Sequence, residues 1–386
     1  MYSFSSKIKL TALISMIVGL VAVIYSFIAT PSSVADLHQG GEAAHDPAHL
    51  EHMLHMLQNK PWAALYVAAL FFLLISLGVL AFYAINRAAQ AGWAPILFRV
   101  MEGITGYLPV GALIFFVLLV CSGLHLNHLF IWMDPQVVAH DTVIQGKTGY
   151  LNVPMFLVRA AVYLLGWIAY RQITRKLSLQ QDEATDNRPF IKAFKWSAGF
   201  LVFFLVTESM MSWDWVMSVD PHWFSTLFGW YVFGSFITCA IAAIILVTVT
   251  LKKQGYLEHV NDSHLHDLAK YLFGFSIFWT YLWFSQYLLY WYSNIPEEVT
   301  YFVTRLQNFE PIVLGMLAIN FLLPLLILVD SDIKRKPWVV GTMAVVILIG
   351  HYMDFFNMIM PATVGREWSI GAAEIGSLLF FFGLFT

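Results

Sequence analysis

The sequence predicts an all-α, polytopic membrane protein of about ten transmembrane helices with its N-terminus on the cytoplasmic side. Three observations carry this. The 386 residues are 59% hydrophobic and 12% charged, whereas soluble domains carry about 25% charged residues. Apolar runs long enough to span a bilayer recur along the whole chain. Positive charge alternates from loop to loop: of the 21 Lys and Arg residues, sixteen fall on one side and four (Lys60, Lys147, Arg305 and Arg366) on the other, with Arg159 inside a run. Lys and Arg are retained on the cytoplasmic side, so this alternation orients the chain.

The runs lie near 8–29, 61–86, 107–128, 152–172, 195–213, 224–250, 267–291, 312–329, 338–355 and 370–386, in one integral domain, 1–386. Lys7 and Lys9 precede the first run as in a signal peptide, but no small-residue cleavage site follows, so it reads as a helix. The tenth run is still apolar at Thr386, which leads us to expect a C-terminal tail beyond it. Cys121 and Cys239 each sit alone in an apolar run. Two isolated cysteines make neither a disulfide framework nor a zinc or iron–sulfur site. No glycine-rich phosphate loop follows a strand and no basic patch alternates with aromatics, so nothing points to nucleotides or nucleic acid. The loop 31–60 holds His38, His45, His49, His52 and His55. The last four share a helical face, which fits an interfacial helix or a partner contact better than a metal site, since only Glu51 lies among them.

The stretch 203–236, FFLVTESMMSWDWVMSVDPHWFSTLFGWYVFGSF, concentrates the chemistry. Hydrocarbon cannot solvate a carboxylate, so ionisable groups inside a span are functional candidates. Glu208 and Asp214 stand here beside Trp213, Trp215 and Trp223, residues that favour the membrane boundary. His125 and His128 are three apart at the end of the third run and are expected on one helix face. His351 and Asp354 have the same spacing in the ninth, and Arg159 lies in the fourth. The loop charges place all of these near the outer edge, with Glu297, Glu298 and Glu310 in the outer loop after the seventh run. The middle of the bilayer is expected to be nearly bare. Near the inner boundary stand Glu102, His264, His266 and Asp267. The aromatics of the seventh run, among them Trp279, Trp283 and Tyr290, read as packing or interface belt.

A quinol site needs an apolar pocket, a proton acceptor and a nearby electron acceptor. His125, His128, Arg159 and Asp214 are the quinone-binding candidates. Asp214 and His125 would take protons, His128 would add a polar contact, and Arg159 would tune their charge. Glu208, His351 and Asp354 would release protons outward. A proton-translocating element is the alternative, with Glu102 and Asp267 as the uptake points. A purely structural scaffold is the third reading. Haem fits poorly: His125 and His351 could face one another, but two b haems need four such ligands. No metal site is expected.

The segment 213–229 resembles the NrfD/PsrC-like family of integral membrane quinone subunits. Residues 1–10 (MYSFSSKIKL), 101–111 (MEGITGYLPVG), 213–233, 266–286 (HDLAKYLFGFSIFWTYLWFSQ) and 292–302 (YSNIPEEVTYF) are similar to its members in bacterial alternative complex III, a quinol:electron-acceptor oxidoreductase. The resemblance runs to about residue 310. It implies two four-helix bundles with peripheral helices, and a subunit that binds no metal or haem itself. A sister NrfD-like subunit would be the better-supported site of quinol (menaquinol or ubiquinol) oxidation. The implied partners are that sister, an iron–sulfur protein subunit, multihaem cytochrome c subunits carrying haem c, small membrane subunits and a terminal oxidase. The implied location is the bacterial cytoplasmic (inner) membrane, and the implied role is that of a subunit without a redox centre in a quinol:cytochrome c oxidoreductase.

Overall fold

A computed structural model describes residues 5–34 and 47–386, and all regular structure among them is helical. The main elements are α1 (Ser6–Ala29), α2 (Pro47–Ala88), α3 (Pro95–Gly123), α4 (Val153–Glu183), α5 (Arg188–Trp215) and α6 (Phe228–Lys253). They continue with α7 (Asp262–Ser293), α8 (Pro296–Asn308), α9 (Glu310–Ile327), α10 (Pro337–Thr363) and α11 (Ala372–Phe385). Among the described residues, eight helices, in α1–α6, α9 and α10, are long and apolar enough to cross a membrane. The protein is therefore an all-helical, multi-pass membrane protein. The other two expected spans are α7 and α11. α7 has 32 residues, but Trp and Tyr keep its mean hydropathy low, and α11 has 14.

Proline and asparagine set several helix boundaries. Pro stands in the first turn of α4, α5, α8 and α10, where its missing N–H costs nothing. Asn152 caps α4 by accepting from the Met155 amide at 3.0 Å, and Asn261 caps α7 by accepting from the Ser263 and His264 amides.

Several boundaries differ from those expected. α2 begins at Pro47 and runs through Pro61, so the end of the 31–60 loop is helix. His38 and His45, and the side chains of His49 and His52, lie outside the described residues; His55 is on α2. α3 stops at Gly123 instead of continuing to 128. α10 extends to Thr363, past the expected 355, because Pro361 is carried inside it. The outer loop after α7 holds an unforeseen helix, α8, whose Arg305 explains how Pro361 is tolerated. Proline cannot donate to the carbonyl four residues back. Arg305 Nε donates to that carbonyl, of Asn357, at 3.0 Å, and Nη2 to the next, of Met358, at 3.1 Å.

α2 and α6 are the innermost helices, with 94% and 78% of their apolar windows buried. α2 packs on α3, α5, α6, α10 and α11, while α4 packs on α3 and α5, and α6 on α7 and α10. α1 is peripheral and packs chiefly on α11. Glycine permits that close approach: a Cβ on Gly19 would lie 2.4 Å from the Phe380 amide nitrogen.

Candidate functional site

Two buried aspartates organise the polar interior. Asp214 is in the last turn of α5 and is fully buried. Arg159, from α4, grips it with two parallel bonds, Nε to Oδ2 and Nη2 to Oδ1, both 2.8 Å. Tyr163, one turn further along α4, donates to Oδ2 at 3.1 Å. The Arg159 guanidinium also donates to the Tyr150 carbonyl at 3.0 Å and lies 3.9 Å from the centre of its ring. Forked guanidinium–carboxylate pairs are among the strongest hydrogen-bonded contacts. The carbonyls at the end of α5 are answered too: Tyr66 donates to that of Trp215 at 2.8 Å and Ser218 to that of Asp214 at 2.5 Å. Asp214 thus has both oxygens engaged, and taking a proton would mean giving up a bond.

Asp354 and His351 lie one turn apart near the middle of α10, and both are fully buried. Tyr231 of α6 donates to Asp354 Oδ1, and Trp279 of α7 donates to Oδ2 at 2.8 Å. His351 Nδ1 is 3.7 Å from Oδ2 and 3.0 Å from Ser235 Oγ. The Trp279 ring meets the imidazole edge-on, 5.3 Å between centres. His351 Nε2 is buried and has no hydrogen-bond partner among the described residues. Both amide atoms of Asn320 share that condition. Asn320 sits in the π-helical turn Ala318–Leu322 of α9, just ahead of Pro324. Such turns concentrate at functional positions. Gly350, the residue before His351, lets this turn come close: a Cβ there would stand 2.0 Å from Asn320 Oδ1.

The other candidates are dispersed. His125 and His128 lie beyond the end of α3, both exposed, with His125 in a left-handed conformation (φ 58°), so they do not share a helix face. Gly123 ends the helix before either is reached. Asn59 of α2 fixes His128, accepting from its amide at 2.9 Å and donating to its carbonyl at 3.1 Å. His128 packs edge-on against His55, 5.0 Å between centres. Burial, then the His55 charge, pushes the His128 pKa down. Among the described residues, no hydrogen bond or ion pair joins either histidine to Asp214, whose partners are Arg159 and Tyr163.

Glu208 is buried on α5, and its partners among the described residues are hydroxyls, Ser212 at 3.1 Å and Ser209 at 3.3 Å. Glu102, at the Lys/Arg-rich end, accepts from Arg99 at 3.0 Å, from Arg175 and from Tyr83 at 3.3 Å. Asp267 pairs with Lys270 at 2.7 Å and lines a cleft of about 630 Å³ with Trp93, Tyr271 and Phe275. Because α10 runs on to Thr363, His351 and Asp354 lie near the middle of that helix and not at its end. Sequence reasoning missed Tyr163, Tyr231, Asn320 and Arg305 as site residues. Trp279 was taken for packing. Asn320, a polar residue inside the apolar run 312–329, and Arg305, just ahead of it, carried the clearest signal.

Compared with models of known protein families and with curated proteins, the chain matches none.

Proposed function

We propose that this chain is a cofactor-free membrane subunit of a respiratory quinol:electron-acceptor oxidoreductase in the bacterial cytoplasmic membrane, and that its own contribution is to carry protons through His351 and Asp354. The assignment to such a complex rests on the resemblance of segments 1–10, 101–111, 213–233, 266–286 and 292–302. With it come the sister NrfD-like subunit, the iron–sulfur protein and the haem c-bearing cytochrome subunits as partners. Packing of α2–α5 together, and of α6, α7, α9 and α10 together, supports the reading of two four-helix bundles within ten spans.

One contrast carries the proton-handling role. Arg159 and Asp214 spend their bonding capacity on each other and on Tyr163, as a structural pair does. His351 does not: its Nε2 and the nearby Asn320 amide retain unspent capacity deep in the protein. An ionisable pair inside a membrane is costly, and such pairs mark ion and proton pathways. Histidine titrates near pH 6.5 when unperturbed, which suits reversible exchange. In this role His351 accepts a proton at Nε2, Asp354 holds the imidazolium, and Tyr231 and Trp279 fix the carboxylate. Glu208, buried without a cation, is the next acceptor toward the outer face.

A second reading keeps quinol chemistry at Arg159 and Asp214. It is favoured by Tyr150, 38% exposed, whose ring covers the guanidinium from the surface. Redox-triggered infrared difference spectroscopy of the assembled complex separates the two. An imidazole-protonation signal lost in His351→Gln and in Asp354→Asn but kept in Asp214→Asn supports proton carriage at His351 with Asp354 as its counter-ion. A carboxyl-protonation signal lost in Asp214→Asn and kept in Asp354→Asn puts the proton on Asp214 and supports the quinol pocket.

A further inference from the structure

Where α3 and α4 meet at the Lys/Arg-rich end, four guanidinium groups face two carboxylates. Arg99 bonds Glu102 at 3.0 Å and also pairs with Asp182, and Arg175 bonds Glu102. Arg87 is buried under the Phe98 ring, 4.3 Å from its centre, and donates to Tyr83 at 3.1 Å. Arg171 is left over. Its Nε is buried with no hydrogen-bond partner among the described residues, and the nearby Glu102 carboxylate is already engaged by Arg99 and Arg175. The guanidinium lies over Gly106 of α3, where a Cβ would be 3.7 Å from Nη2. A half-buried guanidinium whose Nε has no acceptor among the described residues, and whose neighbouring carboxylate Glu102 is already shared by two other arginines, is costly, so the site calls for an anion from outside the chain.

Depth and surroundings say which anion. Arg171 follows the apolar part of α4, whose Val162 and Leu165 are exposed, and α3 exposes Val110 and Leu113 beside it. A ligand here has an anionic head at the membrane boundary and hydrocarbon running toward the middle. Basic pockets between helices on the cytoplasmic side suit lipid phosphates, and the guanidinium fork matches two phosphate oxygens. We propose that Arg171, with Arg175 one turn further along α4, binds the phosphate of an anionic phospholipid between α3 and α4 in the leaflet on the Lys/Arg-rich side. The chemistry recognised is a phosphate with net negative charge, and the exposed apolar strip makes its source a lipid, not free phosphate.

The full chain, purified in detergent and stripped of lipid, is titrated with phosphatidylglycerol, with phosphatidylcholine and with inorganic phosphate. Binding is read by native mass spectrometry and by the shift in Tm. The expected result is that phosphatidylglycerol binds about five- to tenfold more tightly than phosphatidylcholine, since each cation near the surface contributes ~1 kcal/mol to anionic-lipid binding. Inorganic phosphate gives no shift. Arg171→Gln removes the preference for the anionic lipid, while Arg188→Gln, at an 85% exposed side chain, keeps it. If Arg171→Gln does not fold, Arg171→Lys carries the test, and loss of the fork is expected to weaken phosphatidylglycerol binding several-fold. Unchanged binding in the Arg171 variants overturns the proposal. A shift reproduced by inorganic phosphate alone overturns the lipid assignment.

Discussion

His351 and Asp354 stand one helical turn apart, buried near the middle of α10, with Nδ1 3.7 Å from Oδ2. Three helices converge on this pair: α6 through Tyr231 and Ser235, α7 through Trp279, and α9 through the π-turn that brings Asn320 against Gly350. The arrangement differs in kind from the closed fork between Arg159 and Asp214. One pair keeps a ring nitrogen with no partner among the described residues, and the other has every carboxylate oxygen engaged.

The Arg159–Asp214 pair is expected to behave as a stability element. Removing one partner of a buried pair leaves an uncompensated charge, at a cost of about 3–5 kcal/mol. Arg159→Gln should therefore lower the Tm of the detergent-purified chain by many degrees. Arg159→Met combined with Asp214→Leu removes both charges and should recover a large part of the loss. A double variant less stable than Arg159→Gln would contradict the structural role.

Gly350 has no room for a methyl group. Gly350→Ala places carbon 2.0 Å from Asn320 Oδ1 and 2.4 Å from Ile319 Cγ2, so these side chains of the π-turn must shift. Overpacking of this kind costs about 1–3 kcal/mol. Lowered Tm is the expected result, and an unshifted Tm would mean that the π-turn yields freely.

Arg305 and Pro361 are coupled through the Asn357 carbonyl, which the proline leaves without a helical donor. Arg305→Met should destabilise by roughly 2–4 kcal/mol, the range for losing charged hydrogen bonds to buried acceptors. Pro361→Ala supplies an amide donor to the same carbonyl. In the Arg305→Met background it should restore part of the stability, as a double-mutant cycle would read. Strict additivity would break the link.

His128 supplies a pH dependence outside the spans. Its folded pKa lies below the ordinary 6.5, from burial and from the His55 charge, with His125 adding repulsion and Asp134 opposing it. The unfolded chain therefore binds this proton more readily. The stability contributed is complete above about pH 6.5 and is lost as pH falls from there toward the folded pKa. His55→Ala removes the repelling neighbour, so the drop in Tm between pH 7 and pH 5 should be smaller in that variant than in the wild type. An equal drop would count against the pair.

The membrane-spanning character was legible because hydrocarbon demands long apolar runs and charge orients them. The partnership of Arg159 with Asp214 was anticipated from their common depth, since a buried carboxylate needs a cation. What escaped the sequence were the exceptions to helical rules. Apolarity alone gave no reason for α10 to pass Pro361, because the donor that replaces its amide, Arg305, lies on a different helix. His125 and His128 were assigned to a helix by their spacing, but the helix ends at Gly123 and Asn59 then takes over the backbone. Asn320 comes against Gly350, the neighbour of His351, only because of the π-turn and the missing side chain of that glycine, and neither leaves a periodic signal.

The most direct measurement is the number of protons moved per electron in proteoliposomes containing the whole complex, comparing wild type with Asp354→Asn, with quinol oxidation followed in parallel. The expected result is a fall in protons moved per electron in Asp354→Asn while quinol is still oxidised and the complex stays assembled. An unchanged ratio in a fully active Asp354→Asn complex would contradict proton carriage by His351 and Asp354.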